Sequence, residues 1–584
     1  MKKNIYILFT LLFCLVFKLN AQNYTLSLEN NSDKGNKIIK KLNYKKHFYT
    51  KTEREREIKN ILFWLYDKSY ITARFDSIIE DSLNLSAYLF VGNKYTLASI
   101  NKGNVDKTLL SEVGYKEKNY LYKTDKVFQY KEIRTLIEKI LIFCENNGYP
   151  FALVKLDSIS IDSNCLQASL NLNKNLKINI DSIIIKGNAK ISKTYLYSYL
   201  GIKPKDIYNE SKISKINVRL KELQFVKEIK PIDIVFEKNN TKIFLYINKK
   251  NVSQFNGILG VLPNNKTGKV LLNGDVHLKL LNSFGKGELI DFNWRKIEQN
   301  TQDLKTNFIL PFILSTPFGI DFNFSIYKKD TSYLNINSNI GIQYLFKGNN
   351  YIKVFLDNRK SSLVSTSGLK NITVLPSYAD ISTIFYGLEV NNEKLDYGLN
   401  PRKGYQIKLS AAAGNKNIKK NDKINPDIYD SLKLSTTQYK IESDFGVFLP
   451  LFKRNTIFIN IKSAIIDNPN LFENELYRIG GLKTLRGFDE ESINASLYSI
   501  LNIEYRYLLE QNSYIYLFWN GAYYENKSVS PPDVSCDRPY GFGAGISFET
   551  KIGIFSINYA LGKQFNNPVY FKAAKIHFGV VNYF

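Results

Sequence analysis

The stretch Arg478-Ile-Gly-Gly-Leu-Lys-Thr-Leu-Arg-Gly-Phe488 leads into Leu501-Asn-Ile-Glu-Tyr-Arg-Tyr507. The first segment sets Arg486 between Leu485 and Gly487-Phe488, just after the pair Gly480-Gly481. Paired glycines supply the positive φ of a tight turn, so this is a shaped loop rather than a strand or helix. The second segment alternates strictly. Leu501, Ile503, Tyr505 and Tyr507 share one face, and Asn502, Glu504 and Arg506 the other. Period two marks a β-strand whose two faces meet different surroundings.

The same alternation fills residues 252–584. Ile320, Phe322, Phe324 and Ile326 oppose Asp321, Asn323 and Ser325, and Ile290, Phe292 and Trp294 oppose Asp291, Asn293 and Arg295. About sixteen such strands fit this length at roughly 20 residues per strand and connection. Short connections (Ser283-Phe-Gly-Lys286, Lys347-Gly-Asn-Asn350, Lys453-Arg-Asn455, Glu510-Gln-Asn-Ser513) take turns with long ones at 359–380, 415–434 and 467–495. Alternation alone leaves a soluble sandwich and a membrane barrel both open, since the polar face lies outside in one and lines the lumen in the other. Three further features select an antiparallel membrane barrel. Residues 1–21, with Lys2-Lys3, an apolar run from Ile5 to Phe17 and Ala21, read as a secretory signal peptide cleaved near Gln22. Tyr and Phe are abundant. The last segment, Ile576-His-Phe-Gly-Val-Val-Asn-Tyr-Phe584, sets Phe578, Val580 and the terminal Phe584 in the pattern of a barrel-assembly signal, although Asn582 stands where an apolar residue is usual.

Ahead of the barrel the chain repeats itself at about 80 residues, the mark of tandem modules. Ile61-Leu-Phe-Trp-Leu-Tyr-Asp-Lys-Ser-Tyr70 answers Ile140-Leu-Ile-Phe-Cys-Glu-Asn-Asn-Gly-Tyr149; each closes a helical pattern and is followed by Asp-Ser-Ile, at Asp76 and Asp157. Lys-Gly-Asn recurs at 102–104 and 186–188. Apolar residues at helical spacing (Ile58, Ile61, Leu62, Leu65; Ile133 through Cys144; Ile213, Ile216, Leu220, Leu223) alternate with strand-like runs such as Thr241-Lys-Ile-Phe-Leu-Tyr-Ile247. The unit is strand–helix–helix–strand–strand. We expect modules at 22–91, 92–174 and 175–251, the first divergent, with its opening strand and first helix hard to place.

Arg486 in its Gly-Gly–Leu-Arg-Gly-Phe setting, about 100 residues before the end of a barrel sequence, resembles the conserved sixth-loop motif of the BamA/TamA superfamily. The repeats resemble POTRA domains, best in the third copy with Ile180-Asp-Ser-Ile-Ile-Ile-Lys-Gly-Asn188 and Leu223-Gln-Phe-Val226. The resemblance implies tandem α+β POTRA-like domains in the periplasm before an outer-membrane barrel, a layout closer to TamA than to BamA. It also implies that the loop between strands eleven and twelve folds into the lumen, where Gly480, Gly481, Leu485, Arg486, Gly487 and Phe488 form its motif. Glu504 then stands as the acidic partner of Arg486. Asn520, where the family often has Asp-x-Gly, is a second candidate partner that lacks the charge. Asn400-Pro-Arg-Lys-Gly404 and Gly541-Phe-Gly-Ala-Gly545 match as well, the latter as close packing in the barrel wall. The implied activity is capture of unfolded outer-membrane or secreted clients on POTRA strand edges, then insertion or export through the barrel, with a TamB-like inner-membrane protein as a further partner. A two-partner-secretion exporter, which usually has two modules and a plug helix, and a purely binding or structural role are the alternatives.

Composition limits the rest. A formal charge of +26 suits anionic lipid or lipopolysaccharide, but the lysines are dispersed and form no block, and a secreted chain offers no reason to expect nucleic acid. Beyond the leader the cysteines are Cys144, Cys165 and Cys536; Cys144 continues an apolar helix face and reads as a core thiol, with a bridge to Cys165 left open. His47, His277 and His577 have no metal-ligand spacing, and no nucleophile elbow, nucleotide loop or CxxC occurs. We expect neither an enzyme nor a cofactor or metal.

Overall fold

A computed structural model describes residues 24–583 except 31, 96, 116–129, 163–164, 238–240, 264–269, 297–300, 348, 367–375, 399, 431, 530–534, 551–552 and 566. The signal-peptide reading and Phe584 fall outside the described residues. The chain divides into two compact units, residues 1–179 with 207–211, and residues 180–206 with 212–584.

The first unit holds two modules. In the first, strands Tyr24–Glu29, Arg74–Asp81 and Asn84–Phe90 carry helices Asp33–Lys41 and Lys51–Asp67. The opening strand runs parallel to Asn84–Phe90, and Arg74–Asp81 lies at the sheet edge. Both helices begin at side-chain caps, Ser32 accepting from Gly35 N–H and Thr50 from Glu53 N–H. Ile61 and Leu65 pack on Leu26, Leu28, Leu85, Ala87 and Leu89. The second module repeats the plan, with parallel strands Leu97–Asn101 and Cys165–Asn173, edge strand Leu153–Asp162 and helix Tyr130–Asn146. Cys144 is free and buried in its core, and burial pushes its thiol up; the Cys165 side chain is outside the described set.

The repeated Lys-Gly-Asn has a structural reason. Asn104 donates through Nδ2 to the Leu172 carbonyl (3.0 Å) and accepts from Leu172 N–H (2.8 Å). A Cβ at Gly103 would overlap the Leu170 carbonyl, at a positive φ of 55°. In the third module Asn188 likewise accepts from Lys249 N–H (2.8 Å). The asparagine thus pins the end of the opening strand to the last strand of its own sheet. In the first module Asn30 takes this place, bonding to the Leu89 carbonyl with no Lys-Gly before it, which hides that module's opening strand from pattern reading.

The second unit contains the third module and the barrel. Ile180–Lys186, Thr241–Lys249 and edge strand Val226–Phe236 form a sheet over Leu196, Leu200, Ile213, Ile216 and Leu220. The barrel closes through sixteen long strands from Gln254–Pro263 to Lys575–Tyr583, plus the three-residue strand Ser535–Asp537. Neighbours are antiparallel throughout. Ile320, Phe322, Ile340, Ile342, Leu388 and Leu517 are exposed, whereas Asp321, Gln343, Lys353, Glu389 and Glu504 are buried. Polar residues therefore line the lumen and apolar ones face outward, the arrangement of a membrane barrel. Lys353 shows how the lumen tolerates charge: its Nζ lies 2.8 Å from Asp321 and 3.1 Å from Glu389.

The ladder is uneven. Among the described residues the first and last strands share two paired residues, Gln254↔Tyr583 and Phe255↔Asn582. Every other pair of long neighbours shares between seven and fifteen.

Candidate functional site

Residues 468–496 join the eleventh strand, Asn455–Asp467, to the twelfth, Leu497–Leu508. Tyr477–Ile479 pairs with Ile493–Ala495 as a small hairpin. Gly480 and Gly481 turn the chain at φ 115° and 94°, and Gly481 N–H bonds to the Leu485 carbonyl at 3.0 Å. Leu485 and Phe488 bury against Ile493, Tyr498, Ile500, Ala522 and Tyr524, so apolar contacts seat the turn on strands twelve and thirteen.

Between those two anchors Arg486 enters the lumen. Its Nη2 lies 2.8 Å from Glu504 Oε1 and also bonds to Asn502, and its guanidinium carbon stands 3.9 Å from the centre of the Phe518 ring. Glu504 serves two cations: its Oε2 accepts from Arg506 Nε (2.9 Å) and Nη2 (2.7 Å). Arg506 reaches on to Asn400 Oδ1 at 3.2 Å, which ties the Asn400–Gly404 segment to the same cluster. A shared carboxylate flanked by two buried guanidiniums and aromatic faces is a compact charge-assisted lock.

Asn520 does not join it. It is fully buried with neither amide atom hydrogen-bonded among the described residues. Phe518, one inward position earlier on the thirteenth strand, occupies the space beside the guanidinium. The glycine run acts by absence of side chains: a Cβ on Gly541 would overlap the Arg486 carbonyl, and Gly487, at φ 94°, lies against the backbone of Leu561 and Gly562. Loop and wall meet backbone to backbone. Phe578 is exposed on the outer face of the last strand; the Val580 side chain is outside the described set.

Sequence reading missed the other anchors. Glu491 Oε1 lies 2.9 Å from Arg295 on the third strand, Leu289–Lys296, and its Oε2 is 3.3 Å from Arg478. Asp489 bonds to Lys575 on the last strand at 2.7 Å. Glu475 pairs with the buried Lys416 at 2.5 Å, and Asn474 donates to Ser361 Oγ at 2.6 Å. Arg506 was recoverable, since it shares the inward face of Glu504 two residues on. The loop acids carry no periodicity and so no signal. The loop therefore braces walls on both sides of the weakly paired seam, at strand three through Glu491 and at strand sixteen through Asp489.

A closed barrel with an apolar exterior, a loop seated in its lumen and an α+β module before it define the architecture of a membrane barrel with an appended soluble module. The chain matches the Omp85 superfamily domain over residues 282–584 and the POTRA model, surface antigen variable number repeat, over residues 178–250. It belongs to the Omp85 superfamily, a membership that indicates an outer-membrane barrel with a periplasmic POTRA domain and supports outer-membrane insertion or export generally. Among solved structures it resembles CdiB from Acinetobacter baumannii (TM-score 0.52, 13% identity, covering 84% of this chain and 90% of that one). It also resembles CdiB from Escherichia coli (0.52, 12%, 96% and 100%) and BamA from Haemophilus ducreyi lacking POTRA domains 1–3 (0.41, 16%, 84% and 100%). At these identities the likeness to CdiB is one of fold. No curated relative matches the chain by sequence.

Proposed function

We propose that this protein captures unfolded outer-membrane or secreted clients on its periplasmic modules and delivers them to the seam between the first and last barrel strands. The seam carries the reading. With two paired residues between strands of ten and nine, most backbone N–H and C=O groups along these edges have no neighbouring strand among the described residues. Lipid supplies no hydrogen bonds, so such edges favour any strand that can pair with them. A client hairpin satisfies that need without nucleotide hydrolysis.

The modules suit the earlier step. Arg74–Asp81, Leu153–Asp162 and Val226–Phe236 each end their sheet, and each exposes apolar side chains: Ile78 and Ile79, Ile159 and Ile161, Ile229 and Val235. Edges of this kind accept extended peptide by strand addition. In this reading the Arg486 lock holds the barrel in register while the seam exchanges partners.

The test is quantitative proteomics of the outer membrane after depletion, with rescue by wild type or Arg486→Ala. Loss of many barrel proteins, restored by wild type and not by the variant, is expected. Loss of one secreted protein alone would make the protein a dedicated exporter and sink the general reading; an unchanged proteome would leave a binding or structural role.

A further inference from the structure

Where the third module meets the barrel's periplasmic rim, helix Ile216–Glu222 and the segment after it face Phe346, Asn349 and Asn350 and the turn at 392–398. On this side of the junction Lys250 Nζ bonds to Tyr397 Oη at 2.7 Å, and Gly398 packs on the Gln224 side chain. Between these surfaces lies a cleft of about 570 Å³ whose lining includes Lys215, Arg219, Phe346, Lys394 and Tyr405. It does not stop at the rim. Asn392, Tyr405 and Gln406 also line a second, shallow groove of about 700 Å³ that climbs the outer face of strands nine and ten from Leu449 past Val447 to Ile407 and Phe445, with Lys403 at its mouth.

We propose that the cleft and groove together bind one glycerophospholipid of the periplasmic leaflet, phosphodiester in the cleft and an acyl chain along the groove. Three observations select this occupant. The two cavities differ in polarity yet share their boundary residues, so an amphiphile fits both where a peptide or a free anion fits one. Lys215, Lys394 and Lys403 make no ion pair among the described residues, and Arg219, whose Nη1 donates to the Tyr199 and Leu200 carbonyls (2.8 and 2.7 Å), adds a fourth cation to the lining. The acids of the lining, Glu393 and Glu222, bond to the neutral donors Asn349 Nδ2 (2.6 Å) and Tyr199 Oη (3.3 Å) and keep their charge, so four cations stand against two carboxylates. A surplus of cation therefore faces the headgroup level. Phe346 and Tyr405, at the periplasmic ends of their strands, set that level as interfacial aromatic residues do. Basic pockets at this depth take up lipid phosphate, and the outward wall strands supply the apolar half.

The experiment uses the full-length protein, delipidated in detergent and titrated with phosphatidylglycerol in native mass spectrometry. Two variant sets are compared: Lys215→Gln/Lys394→Gln/Lys403→Gln, and Val447→Trp, which fills the groove from outside. Lys37→Gln/Lys40→Gln/Lys41→Gln in the first module serves as the charge-matched control. Each lysine near a lipid surface is worth about fivefold in binding, so the triple variant is expected to lose on the order of a hundredfold in affinity for the tightest-held lipid. Val447→Trp is expected to weaken the same lipid and to leave glycerophosphate binding untouched. Heat-modifiable gel migration verifies folding of every variant. Unchanged retention in the triple variant, or an equal loss in the control, overturns the site. Full competition by glycerophosphate with no effect of Val447→Trp overturns the acyl groove and leaves an anion site.

Discussion

Replacing Glu504 by alanine should cost the barrel more than replacing Arg486, although Arg486 is the motif residue. The reason is how the charges are shared. In Arg486→Ala the carboxylate keeps Arg506 at 2.7–2.9 Å, so no buried charge is stranded. The loss is one charge-assisted contact, about 1.5–3 kcal/mol, and the stacking on Phe518, about 0.5–2 kcal/mol, together roughly 2–5 kcal/mol. In Glu504→Ala two buried guanidiniums lose their common partner and face each other. Breaking a buried pair costs about 3–5 kcal/mol, and the mutual repulsion of Arg486 and Arg506 adds to it. The double variant should then recover part of that repulsion, with a coupling of about 1–3 kcal/mol. Urea unfolding in micelles, followed by Trp519 fluorescence and gel migration, measures all three. An Arg486→Ala cost equal to or above that of Glu504→Ala, or strict additivity in the double variant, would refute the shared-carboxylate account.

Three other outcomes are expected. Gly541→Ala should destabilise the seated loop by about 1–3 kcal/mol through overlap with the Arg486 carbonyl, whereas Gly579→Ala, with open space around it, should be silent in the same assay. A maleimide added to the folded protein in detergent micelles should label the exposed Cys536 and spare Cys144, whose thiol is both buried and pushed up; labelling of Cys144 in folded protein would contradict its core position. A Gln254→Cys/Tyr583→Cys crosslink should stall client insertion, while Ser443→Cys/Ser463→Cys, across the well-paired strands ten and eleven, should not; equal growth of both strains would count against the seam.

The barrel was legible because a two-sided wall forces period two on every strand, as in Ile320-Asp-Phe-Asn-Phe324. The second and third modules were legible because Gly103 and Gly187 must be glycine and Asn104 and Asn188 must pin a strand end. The first module escaped because Asn30 does that work without the preceding Lys-Gly. At the site, Arg486 and Glu504 sit where chain order and alternation place them. The partners of Glu491, Asp489 and Glu475 come together only when distant strands close the wall, and no local pattern records that. Asn520, a partner expected from resemblance alone, stays out of the cluster, and the ring of Phe518 stands at the guanidinium instead.

The separation in sequence of the loop's anchors has a consequence for the order in which the molecule forms. Glu491 bonds to Arg295, 196 residues earlier, and Asp489 to Lys575, 86 residues later. Gly487 rests on the backbone of strand fifteen. Contacts this distant carry a large loop-closure entropy and form late. The loop can therefore seat on strands twelve and thirteen early, but its full set of anchors is complete only once the first and last strands are both in the wall. A nascent barrel stalled before strand fifteen should leave residues 468–496 more open to protease from outside than the closed barrel does, and full protection of that segment would time the moment the wall is complete.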